Sequence, residues 1–110
     1  MTPVRFEVLI TKSAARDLEE LHAFIARQDA PEKAAQVLDA ITQIIVSLTE
    51  FPERGAHPRE LLSLGIKEFR ETFFKPYRVI YRIVGQRVYI LLIADGRRDF
   101  QTLLKRRLFR

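Results

Sequence analysis

The sequence predicts an α+β domain in the order β-α-α-β-β-β-(α), with a helical hairpin packed on one face of a mostly antiparallel four-stranded sheet. Three observations carry this. An alternating segment opens the chain, two stripes of apolar residues at helical spacing follow, and three strand-like runs separated by turn signals come after them. At 110 residues the chain has the length of one domain, spanning 1–110, with one modest core.

Val4-Arg5-Phe6-Glu7-Val8-Leu9-Ile10 alternates apolar and polar before ending apolar, which reads as a strand with one buried face. Ser13 is of the type that caps a helix, although Arg16 is not the acid of a capping box. Ala14, Leu18, Leu21 and Ile25 then recur at steps of four, three and four, one stripe of a helix. Asp17, Glu19 and Glu20 suit its early turns, where the helix dipole favours negative charge. Asp29-Ala30-Pro31 ends this helix and begins another, with Asp29 or Ala30 as cap and Pro31 in the first turn. Ala34, Val37, Leu38, Ile41, Ile44, Ile45 and Leu48 form the second stripe, which Phe51-Pro52-Glu53-Arg54-Gly55 breaks.

Gly55 to Gly65 reads as an irregular connection with a short apolar turn at Leu61-Leu62. Ile66–Phe74, Tyr77–Val84 and Arg87–Ala94 read as strands. Lys75-Pro76 separates the first two, since proline cannot donate to a ladder. Gly85-Gln86 makes a tight hairpin, glycine supplying the positive φ of a two-residue turn. Asp99 then caps a short basic helix bearing Phe100, Leu103, Leu104 and Leu108. Leu18, Leu21, Ile41, Ile45, Val79, Tyr81 and Ile90 are expected in the core.

Composition narrows the function classes. The chain has no Cys, so it has no disulfide, thiol nucleophile or thiolate metal site. Its longest apolar run, Val88–Ala94, is far below the ~18 residues of a membrane span, and no membrane role is expected. The N-terminus lacks a signal-peptide profile, so a cytoplasmic, reducing setting is expected. His22 and His57 are scattered, no Gly-rich phosphate loop is present, and no Ser sits on a nucleophile elbow. No metal or cofactor is expected.

Charge is informative. Residues 1–66 hold 7 basic and 10 acidic side chains, net −3, whereas residues 67–110 hold 12 and 4, net +8. One basic end suggests an acidic partner, either nucleic acid or an acidic protein segment. On the strand Tyr77–Val84, Arg78 and Arg82 share a face with Ile80 and Val84, while Tyr77, Val79, Tyr81 and Ile83 take the other and face the helices. The arginine face is expected to line an outer concave surface with the C-terminal segment. The bland alternative is a solvated face with arginine paired to Glu68 or Glu71, and for Lys105-Arg106-Arg107 a solvated tail.

Pro76-Tyr77-Arg78-Val79-Ile80-Tyr81, then Val88–Ile93 and Gly96-Arg97-Arg98-Asp99, resemble the ParE/RelE toxin superfamily of type II toxin–antitoxin modules, also called plasmid stabilisation proteins. Leu48…Phe51-Pro52-Glu53-Arg54-Gly55 and Glu60-Leu61…Gly65-Ile66-Lys67-Glu68 fit the same pattern, and the likeness covers roughly residues 4–105. It implies a RelE/ParE-like fold. RelE-like members cut mRNA on the ribosome without metal, using lysines, two arginines and a C-terminal Tyr or His. Arg78 and Arg98 match the arginines, but Phe69 and Glu71 stand where the lysines would, and Asp99–Arg110 holds neither Tyr nor His. A ribonuclease reading would need another base, such as Tyr77, Tyr81 or Glu68.

The chain is closer to ParE, although Asp95 stands where that pattern often has His. That resemblance implies a non-catalytic inhibitor of DNA gyrase, neutralised in a hetero-oligomer by a ParD-like antitoxin whose C-terminal segment wraps the toxin. A non-toxic, antitoxin-binding remnant is the third reading. The residues expected to contact partner or target are Arg78, Arg82, Arg97, Arg98, Lys105, Arg106 and Arg107, with direct nucleic-acid contact also open and no catalytic residue assigned.

Overall fold

A computed structural model describes residues 5–109. Strand β1 (Glu7–Ile10) leads into α1 (Lys12–Gln28) and α2 (Pro31–Ser47). A 3-10 turn (Pro52–Arg54) and a one-turn helix α3 (Arg59–Leu62) follow. Then come β2 (Phe69–Phe74), β3 (Tyr77–Val84), β4 (Arg87–Asp95) and the C-terminal helix α4 (Phe100–Leu108). Val4, expected at the start of the first strand, lies outside the described residues.

The helix termini correct one sequence expectation and decide between the two offered for another. Thr11, not Ser13, caps α1: its Oγ1 accepts from the Ala14 amide at 3.2 Å and donates to the Ile90 carbonyl at 2.8 Å. Both residues are of capping type, and only the bond to β4 distinguishes them. Ala30 occupies the cap position of α2 without a side-chain bond, leaving Pro31 to start the helix. Asp29 closes α1 instead, its amide donating to the Ile25 carbonyl. Asp99 caps α4 as expected, accepting from the Thr102 amide at 3.2 Å.

The sheet order is β1-β4-β3-β2. β4–β3 and β3–β2 are antiparallel, whereas β1 runs parallel to β4 with Glu7 opposite Arg87 and Ile10 opposite Ile90. A parallel neighbour requires a long crossover, and the helical hairpin forms part of it. Gly85, at φ +62°, turns β3 into β4 within two residues, as the sequence indicates. β2 begins at Phe69 rather than Ile66, because the Ile66 amide bonds back to the Leu61 carbonyl and finishes the α3 turn.

A bulge in β4 decides which residues face the helices. Ile80 pairs with Leu92 but Tyr81 pairs with Ile90, so Leu91 is the extra residue. The alternation therefore flips. Val88, Ile90 and Ile93 join Val79 and Tyr81 against α1 and α2, while Leu92 and Ala94 join Ile80 on the opposite face. Leu18 and Leu21 pack at the margin of the first core, and Ile41, Ile45, Val79, Tyr81 and Ile90 are fully within it.

The opposite face is not the outer concave surface, lined jointly with the C-terminal segment, that the sequence suggests; that segment covers it. Leu61 of α3 and Phe100 and Leu104 of α4 cover it, burying Ile80, Leu92 and Phe69 in a second core. The physical reason lies in α4, whose apolar stripe needs a sheet face to cover.

Candidate functional site

Arg78 sits under that second layer with only 13% of its side chain exposed. Its Nε donates to Glu71 Oε1 at 2.7 Å, and its Nη1 and Nη2 donate to the two Glu60 oxygens at 2.8 and 2.9 Å. The guanidinium lies 3.9 Å above the Phe100 ring centroid, a cation–π contact. Hydrogen bonds from Arg78 hold the Glu60 carboxyl below its ordinary range, and those to Glu60 raise Arg78 further. A Cβ on Gly96 would fall 2.7 Å from Arg78 Cδ, so the glycine leaves room for the stem. The expected pairing with Glu71 is present; the second carboxylate, from Glu60 on α3, was not foreseen.

Arg107 is also engaged. It donates to both Asp17 oxygens at 2.8 and 2.9 Å and to the Leu91 carbonyl at 2.8 Å. Asp17 Oδ2 in turn accepts from the Ile93 amide at 2.9 Å. The two side chains thus satisfy backbone groups that flank the β4 bulge and tie α1 to α4 through it. Sequence reasoning gave Asp17 to the helix dipole and missed this role. The signal was present: Asp17 lies between Ala14 and Leu21 at helical spacing, an acid on the buried stripe.

The other basic residues expected at the contact surface, Arg82, Arg97, Arg98, Lys105 and Arg106, are exposed. Arg82 has a loose 3.6 Å contact with Glu68, the other pairing the sequence suggested. Arg97 chelates Asp95, with Nη2 2.6 Å from Oδ2 and Nε 3.0 Å from Oδ1, and these bonds depress the Asp95 carboxyl. The Arg98 side chain makes no hydrogen bond or ion pair among the described residues. Lys105 and Arg106 lie on the outer side of α4.

Two concavities lie among these residues. A cleft of about 490 Å³ runs between α1, through Leu21, Phe24 and Arg27, and the end of the sheet, through Tyr77, Ile93, Arg97 and Arg98. A second, of about 390 Å³, separates α3 from α4 and is lined by Leu61, Leu64, Ile66, Leu104 and Phe109, with Lys105 beside it. Arg98 lines the first, whereas Arg78 lines neither. The two arginines of the ribonuclease pattern are therefore placed in separate environments. At the positions of that pattern's lysines, Phe69 is buried against Phe109 in the second core and Glu71 is spent on Arg78.

The candidate bases differ in the same way. The Tyr81 hydroxyl is inside the first core, donating to the Pro52 carbonyl at 2.6 Å and accepting from the Gly55 amide at 3.1 Å. Burial pushes its phenol up. Glu68 is exposed, and Tyr77 borders the cleft. His57 places Nδ1 3.0 Å from the Phe69 carbonyl. Among the described residues no group of three or more His, Asp or Glu is arranged to hold a metal, and no helix is long and apolar enough to cross a membrane.

The profile of the ParE toxin of type II toxin-antitoxin systems, parDE, matches residues 8–100. The chain belongs to the ParE toxin family. It is 30% identical over 97 residues to Toxin ParE3 of Caulobacter vibrioides, a match covering 88% of this chain and 93% of that one. The fold is that of a chain in the chromosomal ParDE system from P. aeruginosa, with a TM-score of 0.70 and 23% identity over 83% of this chain and 96% of that one. A chain of the toxin–antitoxin complex RelBE2 from Mycobacterium tuberculosis aligns at TM-score 0.59 and 26% identity, covering 84% and 99%. Toxin RelE of E. coli in the free state shares the fold at TM-score 0.63 and 14% identity, covering 94% and 99%. The ParE match ends at Phe100, so it takes in the Arg78 cluster but only the start of α4.

Proposed function

We propose that this ParE-family toxin acts by binding rather than by catalysis: it inhibits DNA gyrase, and a ParD-like antitoxin neutralises it. The observation that carries this reading is the Arg78 cluster. Phosphodiester cleavage needs cations turned towards the scissile phosphate to stabilise charge that develops in the transition state. Arg78 instead turns three donors onto Glu60 and Glu71 beneath Phe100, and Glu71 brings a carboxylate to a position where the ribonuclease pattern has a lysine.

The target-contacting surface in this reading consists of Arg82, Arg97, Arg98, Lys105 and Arg106, all on the outside of the fold. Arg78 and Arg107 support it from within, by fixing the sheet beneath α4 and by tethering α4 itself. The test is a supercoiling assay with purified gyrase. The chain should inhibit supercoiling and accumulate cleaved plasmid, addition of antitoxin should reverse both, and Arg98→Ala should weaken inhibition with an unchanged melting temperature. Undisturbed supercoiling at stoichiometric excess would contradict the proposal. A collapsed melt in Arg98→Ala would instead make that arginine a structural residue.

A further inference from the structure

We infer that the groove between α3 and α4 receives an apolar side chain from an acidic segment of the toxin's target, with Lys105 meeting a carboxylate beside it. The inference rests on the toxin reading above and supplies the apolar anchor that its basic surface lacks.

The apolar part comes first. Leu61 and Leu104 line the groove and are buried in the second core. Leu64, just after α3, and Phe109, at the end of α4, line it too, yet they are 56% and 48% exposed. An edge-on contact with Phe69, with ring centroids 6.4 Å apart, holds Phe109 in place. Single exposed apolar side chains are ordinary, but two on one concave strip continuous with a core form a patch that an occupant can cover. Covering it with an aliphatic or aromatic side chain removes both surfaces from water.

Charge then selects what flanks the anchor. Gln101 and Lys105, one turn apart on α4, are exposed at the groove. The Lys105 ammonium makes no hydrogen bond or ion pair among the described residues. Glu60 is the one acid among the described lining residues, and Arg78 engages both of its oxygens. An incoming carboxylate therefore meets a free ammonium and a carboxylate whose charge is already balanced.

These features decide between occupants. A nucleic-acid strand would lay its phosphates on an apolar lining and find a single cation there. A second copy of the chain, docked groove to groove, would bring Lys105 and Arg106 of one α4 towards those of the other, a like-charge juxtaposition. An acidic protein segment bearing a bulky apolar residue satisfies both the lining and the ammonium. Its source is argued from continuity: Lys105 belongs to the surface that the toxin reading gives to the target, and the groove extends that surface inward. Leu104, Lys105 and Phe109 also lie beyond Phe100, where the ParE match ends, so this side of the groove is outside the shared family profile.

The test measures the affinity of purified gyrase for the chain by calorimetry, beside that of the antitoxin that restores growth when expressed with it. The variants are Leu64→Asp, Lys105→Glu, Gln101→Glu and Gln101→Lys, with Val46→Asp on the exposed side of α2 as control. All four positions are exposed, so the fold should tolerate the changes, and thermal melts check that it does. We expect Leu64→Asp and Lys105→Glu each to weaken gyrase binding roughly tenfold and to raise the half-inhibitory concentration in supercoiling to match. Gln101→Glu should weaken binding and Gln101→Lys should tighten it, a pair of opposite responses that loss of fold cannot produce. Val46→Asp should bind gyrase as wild type does, and every variant should keep its affinity for antitoxin. Unchanged gyrase affinity in Leu64→Asp and Lys105→Glu would overturn the inference while leaving the toxin reading standing. Loss of antitoxin binding in place of gyrase binding would overturn it too, as would a dimer of the free chain that Leu64→Asp splits. If wild type does not bind gyrase, the toxin reading falls and takes the inference with it.

Discussion

Removing the Arg78 guanidinium would leave Glu60 and Glu71 facing one another under α4, with Phe100 still closing the site above them. Breaking a buried pair from one side costs about 3–5 kcal/mol. Arg78→Ala should show that loss in urea unfolding, and Arg78→Met with Glu60→Gln and Glu71→Gln should recover most of it. The cluster also has a pH signature. Because hydrogen bonds from Arg78 depress the Glu60 carboxyl in the folded state, its contribution is present above the unfolded value and is lost as pH falls through the folded one. Stability should therefore decline below about pH 4, the ordinary carboxylate region. Glu60→Gln should flatten that decline in acid-dependent urea melts, and an unchanged slope would assign it to other carboxylates such as Asp95. The sequence offers Glu68 or Glu71 as a partner for the strand arginines, because all lie on neighbouring strand-like runs. Glu60 could not be read as a partner, because its approach depends on where α3 docks, and α3 is a single turn with no periodicity of its own.

Elements are held to one another through a few polar ties at their ends. Tyr81, at the centre of β3, reaches the 3-10 turn through its hydroxyl, bonding Pro52 and Gly55. A Cβ on Gly55 would overlap both that hydroxyl and the Glu71 carbonyl. Gly55→Ala should cost about 1–3 kcal/mol by overpacking, measured as a lowered denaturation midpoint. Tyr81→Phe should cost a similar amount by leaving the Gly55 amide without its partner. The bulge in β4 makes a second prediction at this scale. Asp17→Ala removes the acceptor of the Ile93 amide, so hydrogen exchange at Ile93 should accelerate while Ile90, paired in the ladder, keeps its protection. Unaltered exchange at Ile93 would show that the bulge holds without Asp17. Element order was legible because each stripe and alternation is a local pattern, and Pro31, Pro76 and Gly85 punctuate it. The bulge was not, because Val88–Ala94 is apolar throughout and offers no alternation from which a flipped register could be seen.

Over the whole molecule, the sheet separates two layers with different tasks. The helical hairpin supplies the main core, and α3 with α4 seals the face on which Arg78 lies. The basic end foreseen from charge is real, but folding divides it. Arg78 and Arg107 are drawn inward, Arg97 is spent on Asp95, and Arg98 borders a cleft with α1. Burial of that kind is invisible to a count of charges, since it depends on which face α4 covers. The two ribonuclease-like arginines are separated and Arg78 is neutralised, which supports the proposal that this toxin acts by binding. The most direct test places the purified chain in parallel with gyrase on a supercoiled plasmid and with translating ribosomes on mRNA, each with and without antitoxin. A toxin that acts by binding gyrase should cause antitoxin-reversible loss of supercoiling with mRNA left intact; ribosome-dependent cleavage of mRNA with gyrase unaffected would contradict that mode of action.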